Sequence, residues 1–439
     1  MTKHLSRRGA ARTLTGTAVV ALGALALSAC SSGGAAQREA AEFSATYDGP
    51  AVTLSYWNGF TGGDGPFMQG LVDRFNEEHD NITVESNTVE WAEFYQKLPA
   101  AVTAGEGPDV GVMHVEQLSS NAARGVIDPV DPLLDGLGLT ADDFTSAIWD
   151  AIEHDGARYG VPLDVHSLAM YYNTEHFEDA GIAEAPTDAE SFAEALDALQ
   201  EAGYEHPFWM PARWPGHLMF LSGQWQGGGE PYAADGSAAT FDSPEGVASL
   251  EWMRSVVDDG YSPGDVAQDA QYVAFKNGET SITFDGIWQI NDLEESGLPY
   301  AAAPVPAVLG EPAVWASSHQ FFLPHQQSPD ADKVAAAQVF IAWMSEHSGD
   351  WAQAGMIPAR ESVRTSGVLD GTVQEPIAEA IDTMRFLPPV PGLGTIQSET
   401  LEVAVADGVL GVRSPEAALS EESGRATSLM EENLARFGG

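Results

Sequence analysis

The sequence predicts an α/β protein of two lobes, each built from discontinuous segments of the chain. At 439 residues the chain exceeds the ~250–300 residues at which a single core stops growing, so two or three folding units are expected. Strand and helix patterns alternate between residues 51 and 113, which is typical of a parallel sheet with crossover helices. After Tyr159 the pattern changes, and strand-like segments recur among helices. This recurrence indicates a second lobe and more than one crossing between the two.

Three strands and two helices are predicted in the first part of the chain. They are a strand at 51–56, a helix at 66–78, a strand at 81–85, a helix at 93–103 and a strand at 108–113. The first strand alternates apolar and polar residues, and the first helix places Phe67, Leu71 and Phe75 on one face. Ligands of such sheets bind beyond the carboxyl ends of the strands. Those ends are predicted at 57–63, 89–91 and 114–117.

The remaining elements are predicted from weaker patterns. Strands are expected at 168–172, 279–284 and 321–323, and helices at 189–202, 331–344, 373–384, 396–410 and 415–436. The segment from Phe208 to Trp225 is rich in aromatic residues and is predicted as a loop of the second lobe.

The charge balance excludes one class of function. The chain has 19 Lys and Arg against 65 Asp and Glu, a formal charge of −46. Nucleic-acid binding needs a basic surface, so no nucleic-acid partner is expected. Anionic lipid headgroups are disfavoured for the same reason. A hydrophobic content of 44% is sufficient for sizeable cores, which excludes a chain that is disordered throughout.

The first thirty residues have the pattern of an export signal. Basic residues between Lys3 and Arg12 precede an apolar stretch at 14–27, which is shorter than the ~20 residues of a membrane span. The stretch ends in Leu-Ser-Ala-Cys at 27–30, which resembles the lipobox of bacterial lipoproteins, where the cysteine is acylated and the chain is cleaved before it. The sequence is consistent with both the general secretory and the twin-arginine routes.

Cys30 is the only cysteine, so the chain cannot form an internal disulfide or a cysteine-based metal cluster. We predict a lipoprotein signal peptide over 1–29 and a flexible tether over 30–50, because the latter segment begins with small and polar residues. The protein is then extracytoplasmic and contacts the membrane only through the lipid on Cys30. The alternative for Cys30 is a free or buried thiol.

Nine short motifs, in order along most of the chain, resemble those of one family. They are 57–65 (WNGFTGGDG), 75–76 (FN), 105–110 (GEGPDV), 159–164 (YGVPLD), 171–173 (YYN), 275–278 (FKNG), 284–288 (FDGIW), 315–319 (WASSH) and 355–360 (GMIPAR). The sequence resembles the extracellular solute-binding lipoproteins (family 1) of bacterial carbohydrate ABC importers, the group that includes maltose- and trehalose-binding proteins.

The resemblance implies a type II periplasmic-binding-protein fold, in which two hinged lobes close around a sugar. It implies a first lobe at 51–164 and 318–364 and a second lobe at 165–317 and 365–439. Hinges are then expected near 162–166, 317–320 and Arg364.

The function implied by the resemblance is binding of a sugar or oligosaccharide and its delivery to ABC permease subunits and their ATPase. A monomer that is not an enzyme and has no cofactor or metal is expected. One alternative is a secreted glycosidase, since acidic and aromatic residues would look alike there. The other is a binding protein for a non-sugar solute such as a glycerophosphodiester, although basic residues to hold a phosphate are scarce.

A sugar site needs polar partners for the hydroxyls and a flat aromatic platform for the apolar face of the ring. The chain has 11 tryptophans, and several of them lie in predicted loops beside polar residues. Most candidates have a structural alternative, such as a turn, helix packing, hinge hydrogen bonding or an interlobe salt bridge for Arg360. The candidate ligand-binding residues are Asn58, Phe60, Thr61, Glu90, Trp91, His114, Asp164, His166, Trp209, Arg213, Trp225, Asp285, Gly286, Trp288, His319 and Arg360.

Overall fold

A computed structural model describes residues 42–437. The predicted signal peptide, Cys30 and the predicted tether as far as residue 41 lie outside the described residues. Within the described part of the chain, no helix has both the length and the apolar character needed to cross a membrane.

The strands are β1 (Val52–Asn58), β2 (Ile82–Thr88), β3 (Val110–His114), β4 (Ile127–Asp128), β5 (Glu153–His154), β6 (Ala157–Arg158), β7 (Val161–Pro162), β8 (Asp164–Asn173), β9 (Ile282–Gly286), β10 (Tyr300–Ala303), β11 (Val314–Ser317), β12 (His319–Pro324), β13 (Ile357–Pro358) and β14 (Met384–Arg385).

The α-helices are α1 (Gly65–Glu78), α2 (Trp91–Ala104), α3 (Leu118–Ala123), α4 (Asp131–Gly136), α5 (Ser146–Ala151), α6 (Thr174–Asp179), α7 (Ala189–Glu201), α8 (Gly216–Gln226), α9 (Pro244–Asp258), α10 (Ala270–Lys276), α11 (Ile290–Ser296), α12 (Ala331–Glu346), α13 (Ser348–Trp351), α14 (Glu361–Arg364), α15 (Glu375–Glu379), α16 (Leu393–Glu399), α17 (Leu401–Val409) and α18 (Pro415–Phe437).

One sheet contains the first three predicted strands, in the order β2-β1-β3-β12-β4. β1 is parallel to β2 and β3, whereas β12 arrives from far along the chain and runs antiparallel beside β3. Helix α12 packs on β1. The buried ring of Phe340 on α12 lies 5.3 Å from the ring of Tyr56 and 5.0 Å from that of Phe75, measured between centroids. These rings form part of the core of the first lobe.

The second sheet is arranged around β8. This strand pairs antiparallel with β9 and β10, and its first residues pair with β11 and β13. Helix α8 packs against β11, α9 and α17, and every residue of α8 is buried. A helix that is enclosed on all sides has no polar face. For this reason its sequence lacks the periodicity that marks a surface helix.

The chain crosses between the sheets at two adjacent places. β7 pairs with β12 in the first sheet and ends at Pro162, and β8 of the second sheet begins at Asp164. β11 of the second sheet ends at Ser317, and β12 of the first begins at His319. A later segment leads to α15, which packs on β10. The predicted α/β class with two lobes is confirmed, and the residue limits of the lobes stay a prediction.

The described residues at the carboxyl end of the predicted tether contact the rest of the chain. The backbone N–H of Ser44 donates to Oε1 of Gln338 at 2.8 Å, and Nδ2 of Asn81 donates to the carbonyl oxygen of Tyr47 at 2.9 Å. The ring of Phe43 lies so close to Gly136 that a Cβ there would be 2.1 Å from it. Two aromatic residues among small and polar ones therefore attach this segment to the first lobe.

Replacing Phe340 with Ala should lower the free energy of unfolding by about 3–5 kcal/mol, because the change leaves a cavity among buried aromatic rings. Urea denaturation followed by circular dichroism measures this loss. Val412→Ala is the control, since Val412 is 66% exposed and its truncation should change the stability by less than about 0.5 kcal/mol. A similar loss in both variants would contradict the assignment of Phe340 to the core.

Candidate functional site

Three histidines meet where the two sheets join. His114 ends β3, and His319, the first residue of β12, lies directly opposite it in the antiparallel pair. His166 lies on β8, opposite Ser317 of β11. The ring centroid of His319 is 4.3 Å from that of His166 and 4.7 Å from that of His114. The structure therefore brings together three of the predicted site residues.

The carboxylate of Asp164 holds this junction in place. It is fully buried, and Oδ1 accepts from the His166 ring nitrogen Nδ1 at 3.1 Å and from the His319 backbone N–H at 3.0 Å. Oδ2 accepts from His319 Nδ1 at 2.8 Å and from the indole N–H of Trp351 at 2.7 Å. Burial acts to raise the pKa of Asp164, but the interaction with His319 and the histidine hydrogen bonds hold it well below the usual range.

All of the acceptor sites of this carboxylate are thus used by the chain itself. We had expected Asp164 to contact a ligand, with hinge hydrogen bonding as the alternative. The geometry corresponds to the alternative, because four donors already surround the two oxygens. An ionised carboxylate only accepts, so Nδ1 of both histidines carries a proton.

His114 has a different partner. Its Nδ1 lies 2.5 Å from the hydroxyl oxygen of Tyr95, which also accepts from the His114 backbone N–H at 3.2 Å. Burial, followed by the proximity of His319 and His166, lowers the pKa of His114 well below 6.5. Burial also lowers the pKa of His319, against the opposing effect of Asp164. Both rings are therefore neutral near pH 7.

Aromatic side chains of the first lobe cover one side of the histidines. Trp91 stacks on His319 with centroids 5.6 Å apart and planes inclined by 18°, and it meets His114 edge-on at 4.5 Å. Phe60 is 4.8 Å from His319 and is almost completely buried. Phe60 therefore packs against the ring of His319. Trp91 is half-buried, so part of its indole is accessible to a ligand.

The second lobe supplies a matching aromatic wall. The ring centroid of Trp288 lies 5.8 Å from that of His166 and 6.4 Å from that of Trp315, and Trp315 is buried. Trp214 lies 6.2 Å from Trp288 and is 37% exposed. The half-buried Trp288 and the exposed Trp214 are the members of this wall that a solute can reach.

A glycine lies against the indole ring of each of the two partly exposed tryptophans that are nearest the histidines. A Cβ on Gly59 would lie 2.1 Å from the ring of Trp91, and a Cβ on Gly286 would lie 2.1 Å from the ring of Trp288. Any larger residue would displace the indole. Gly286 was predicted as a site residue. Gly59 was not predicted as a site residue, although it follows directly after the strand β1.

Several predicted residues shape the first-lobe loops. Asn58 is buried, and its amide bonds with Ser86, Thr88 and the backbone N–H of Phe60, so its polar atoms are occupied. Glu90 accepts from two backbone N–H groups and caps α2. Both have the structural role that was the alternative, because a turn and a helix start need these acceptors. Thr61 is exposed on the loop and stays a predicted ligand contact.

The predicted aromatic loop of the second lobe is in part the helix α8. Trp225 is 7% exposed, and its indole N–H donates to Glu230 at 3.0 Å, so it packs between helices as in the alternative interpretation. Trp209 is partly exposed, and its indole nitrogen is buried with no hydrogen-bond partner among the described residues. Arg213 is exposed beside Trp214. Of these residues, the structure places Arg213 next to the aromatic wall.

Asp285 and Arg360 do not join the cluster. Asp285 is 1% exposed and accepts from the backbone N–H of Gly286 at 2.8 Å. Burial raises its pKa to about 6. Arg360 pairs with Asp143 at 2.8 Å, a salt bridge between two segments of the predicted first lobe rather than the expected interlobe bridge. A ligand role for either residue would require displacing these contacts.

Sequence reasoning missed two acidic groups near the histidines. Asp64 is 6% exposed, and its Oδ1 is buried with no hydrogen-bond partner among the described residues. Burial and the charge of Asp164 raise the pKa of Asp64 to about 6, although His166 opposes the shift. Glu116 accepts from the hydroxyl of Ser317 at 2.7 Å, and burial raises its pKa. Position at a strand or helix end was the available signal for both.

The lobes touch on both sides of the histidines. Gly63 lies against the backbone of Asp292, and Nδ2 of Asn291 donates to the carbonyl oxygen of Gln353 at 3.1 Å. The backbone N–H of Gly392 donates to the hydroxyl of Ser120 at 2.6 Å.

A family model described as bacterial extracellular solute-binding protein matches residues 70–378, more than half of the chain. The chain belongs to this family. The family resemblance predicted from the motifs is confirmed, and a location outside the cytoplasm follows from the family's description. The family's description is that of proteins that bind solutes.

A putative binding protein of Brucella abortus is 23% identical over 381 residues, which cover 84% of this chain and 90% of that protein. The diacetylchitobiose binding protein DasA of Streptomyces coelicolor is 23% identical over 367 residues, covering 80% and 83% respectively. Among solved structures, the GacH receptor of Streptomyces glaucescens, crystallised unliganded and with acarbose, has a TM-score of 0.77 at 21% identity and covers 87% of this chain and 99% of its own. The two-lobe fold is shared.

Replacing Asp285 with Asn should stabilise the protein in a pH-dependent way. Since the folded pKa is raised from 3.8 to about 6, the wild-type loses stability as the pH rises through that interval. The variant avoids this loss and should be more stable by roughly 2–3 kcal/mol at pH 7.5, and by little below pH 4. Urea denaturation of both proteins at the two pH values measures the difference. An equal effect at both would contradict the raised pKa.

Proposed function

We propose that the protein is a receptor that binds a sugar or oligosaccharide between its lobes and delivers it to an ABC import permease. The observation that carries the proposal is the pair of half-buried tryptophans, Trp91 and Trp288. They come from opposite lobes, each lies over a glycine, and both flank the histidines. DasA and the GacH receptor, whose names and titles refer to diacetylchitobiose and acarbose, support a saccharide ligand.

The side chains around these tryptophans suit the chemistry of a sugar. The indoles offer flat apolar area for the C–H face of a pyranose ring at little cost in rotamer entropy. Thr61 and Arg213 are exposed near the two walls, and His114 is half-buried between them. These groups supply hydroxyl, guanidinium and imidazole partners for sugar hydroxyls.

The proposed mechanism is a shift of population between open and closed lobes. A solute that contacts both walls stabilises the closed form by its difference in affinity for the two forms. In this mechanism the contacts of Gly63 with Asp292 and of Gly392 with Ser120 would separate as the lobes open. The permease and its ATPase then engage the closed receptor, as the family implies.

We also propose that the protein is a monomer anchored outside the cytoplasm. The signal over 1–29 and the lipobox at Cys30 support export and anchoring as a lipoprotein on the outer face of the membrane. A formal charge of −46 opposes self-association, which supports a monomer.

Trp91→Ala and Trp288→Ala should each weaken sugar binding by about 2 kcal/mol, roughly 30-fold, through loss of stacked apolar area. A thermal-shift screen of mono- and oligosaccharides first identifies the ligand, and titration calorimetry then gives the affinities. The matched control is Trp252→Ala, because Trp252 lies on α9 and packs against Phe192 within the second lobe. That variant should lose stability and keep the wild-type affinity.

Two results would contradict the proposal. One is an unchanged affinity in both wall variants, which would remove the tryptophans from the site. The other is cleavage of the saccharide during the titration, which would make the protein an enzyme.

A further inference from the structure

The three clustered histidines have the arrangement of a metal-binding site. Each of His114, His166 and His319 offers one ring nitrogen, and these atoms all lie within 4.8 Å of one another. Imidazole nitrogens on one zinc ion are about 3.3 Å apart, given zinc–nitrogen distances of about 2.0–2.1 Å. Small rotations of the rings are therefore enough to bring the three nitrogens onto one ion.

The second ring nitrogen of each histidine already has a partner. Nδ1 of His166 and of His319 bonds to the two oxygens of Asp164, and Nδ1 of His114 bonds to Tyr95. Metal-ligating histidines usually donate their other N–H to a carboxylate or a similar acceptor, which orients the ring. One buried carboxylate here orients two rings, and Nε2 is the nitrogen left on each for a metal.

Unsatisfied polar atoms at the cluster point to a missing partner. Nε2 of His166 is buried and has no hydrogen-bond partner among the described residues, and His166 is only 1% exposed. Oδ1 of Asp64 is likewise buried and without a hydrogen-bond partner in the described chain. A buried polar atom without a partner costs free energy. A cation at the ring nitrogens would coordinate the first atom and neutralise the second group.

We propose that His114, His166 and His319 bind a divalent transition-metal ion of the zinc class between the two lobes, with Asp164 and Tyr95 orienting the ligands. Three imidazole ligands favour zinc and its first-row neighbours, whereas calcium and magnesium require oxygen ligands. The surrounding acids, Asp64, Asp164 and Glu116, balance the charge of a buried cation.

Three protein ligands leave a fourth position on a tetrahedral ion open. His114 is the partly exposed member of the three, so solvent can enter on its side and fill this position. An oxygen of the bound solute or a water molecule fits it. The metal site itself does not depend on the solute being a sugar.

The ligands come from both sides of the hinge. His114 and His319 belong to the first sheet, and His166 belongs to β8 of the second. An ion held by all three adds bonds between the sheets, and it therefore favours the arrangement of the lobes in which the three rings are close.

The test is a titration of chelator-treated wild-type protein with Zn²⁺ in the absence of any solute. We expect one ion per chain, a rise in melting temperature and, with Co²⁺ in place of Zn²⁺, the visible absorption bands of a four-coordinate site. His166→Ala should weaken Zn²⁺ binding by at least about 100-fold, and Tyr95→Phe should weaken it by about 10- to 100-fold. The control is His206→Asn, because His206 bonds to Gly260 away from the cluster and should leave Zn²⁺ binding unchanged.

The Tyr95→Phe variant keeps the test decisive if His166→Ala does not fold. The proposal is overturned if the wild-type protein binds no Zn²⁺ at micromolar concentrations. It is also overturned if both cluster variants bind as the wild-type does, since the ion would then lie elsewhere. Because no solute is present, failure of the sugar proposal would not alter either result.

Discussion

The buried carboxylate of Asp164 is the interaction on which the centre of the molecule depends. An ionised group without water must be surrounded by donors, and here they come from β8, from β12 and from Trp351 of α13. Because these elements belong to different segments, removing one donor would leave the buried charge with incomplete hydrogen bonding where the chain crosses between the sheets. The carboxylate therefore fixes the positions of His166 and His319 together, and through them the point at which the lobes meet.

The local parts of the fold were predictable from the sequence. β1, α1, β2, α2 and β3 lie close to their predicted positions, because alternation and helical spacing are properties of neighbouring residues. Trp91, His114 and Trp288 follow predicted strands or lie at their ends, so they were expected at the cleft, and the structure places them in one cluster of rings. Positions at strand ends carried most of the information about the site.

The parts that depend on long-range packing were not predictable. α8 is buried on every side, and its aromatic residues therefore looked like a loop. The predicted helix at 396–410 is two helices, α16 and α17, because the helix is interrupted at Thr400. The hydroxyl of Thr400 donates a hydrogen bond to the carbonyl oxygen of Ile396. The histidines lie on three strands, and only the crossings between sheets bring them together. No spacing motif in the sequence could reveal such a cluster.

Because residues 43–47 are attached to the first lobe, the two lobes respond differently to a force on the amino terminus. Phe43 packs on Gly136, and Ser44 is bonded to Gln338 of α12, so a pull from the amino terminus is applied to the first lobe. The second lobe carries no such attachment within the described residues. In a receptor tethered at that end, the first lobe stays fixed relative to the membrane. The second lobe then moves relative to the first when the receptor opens and closes.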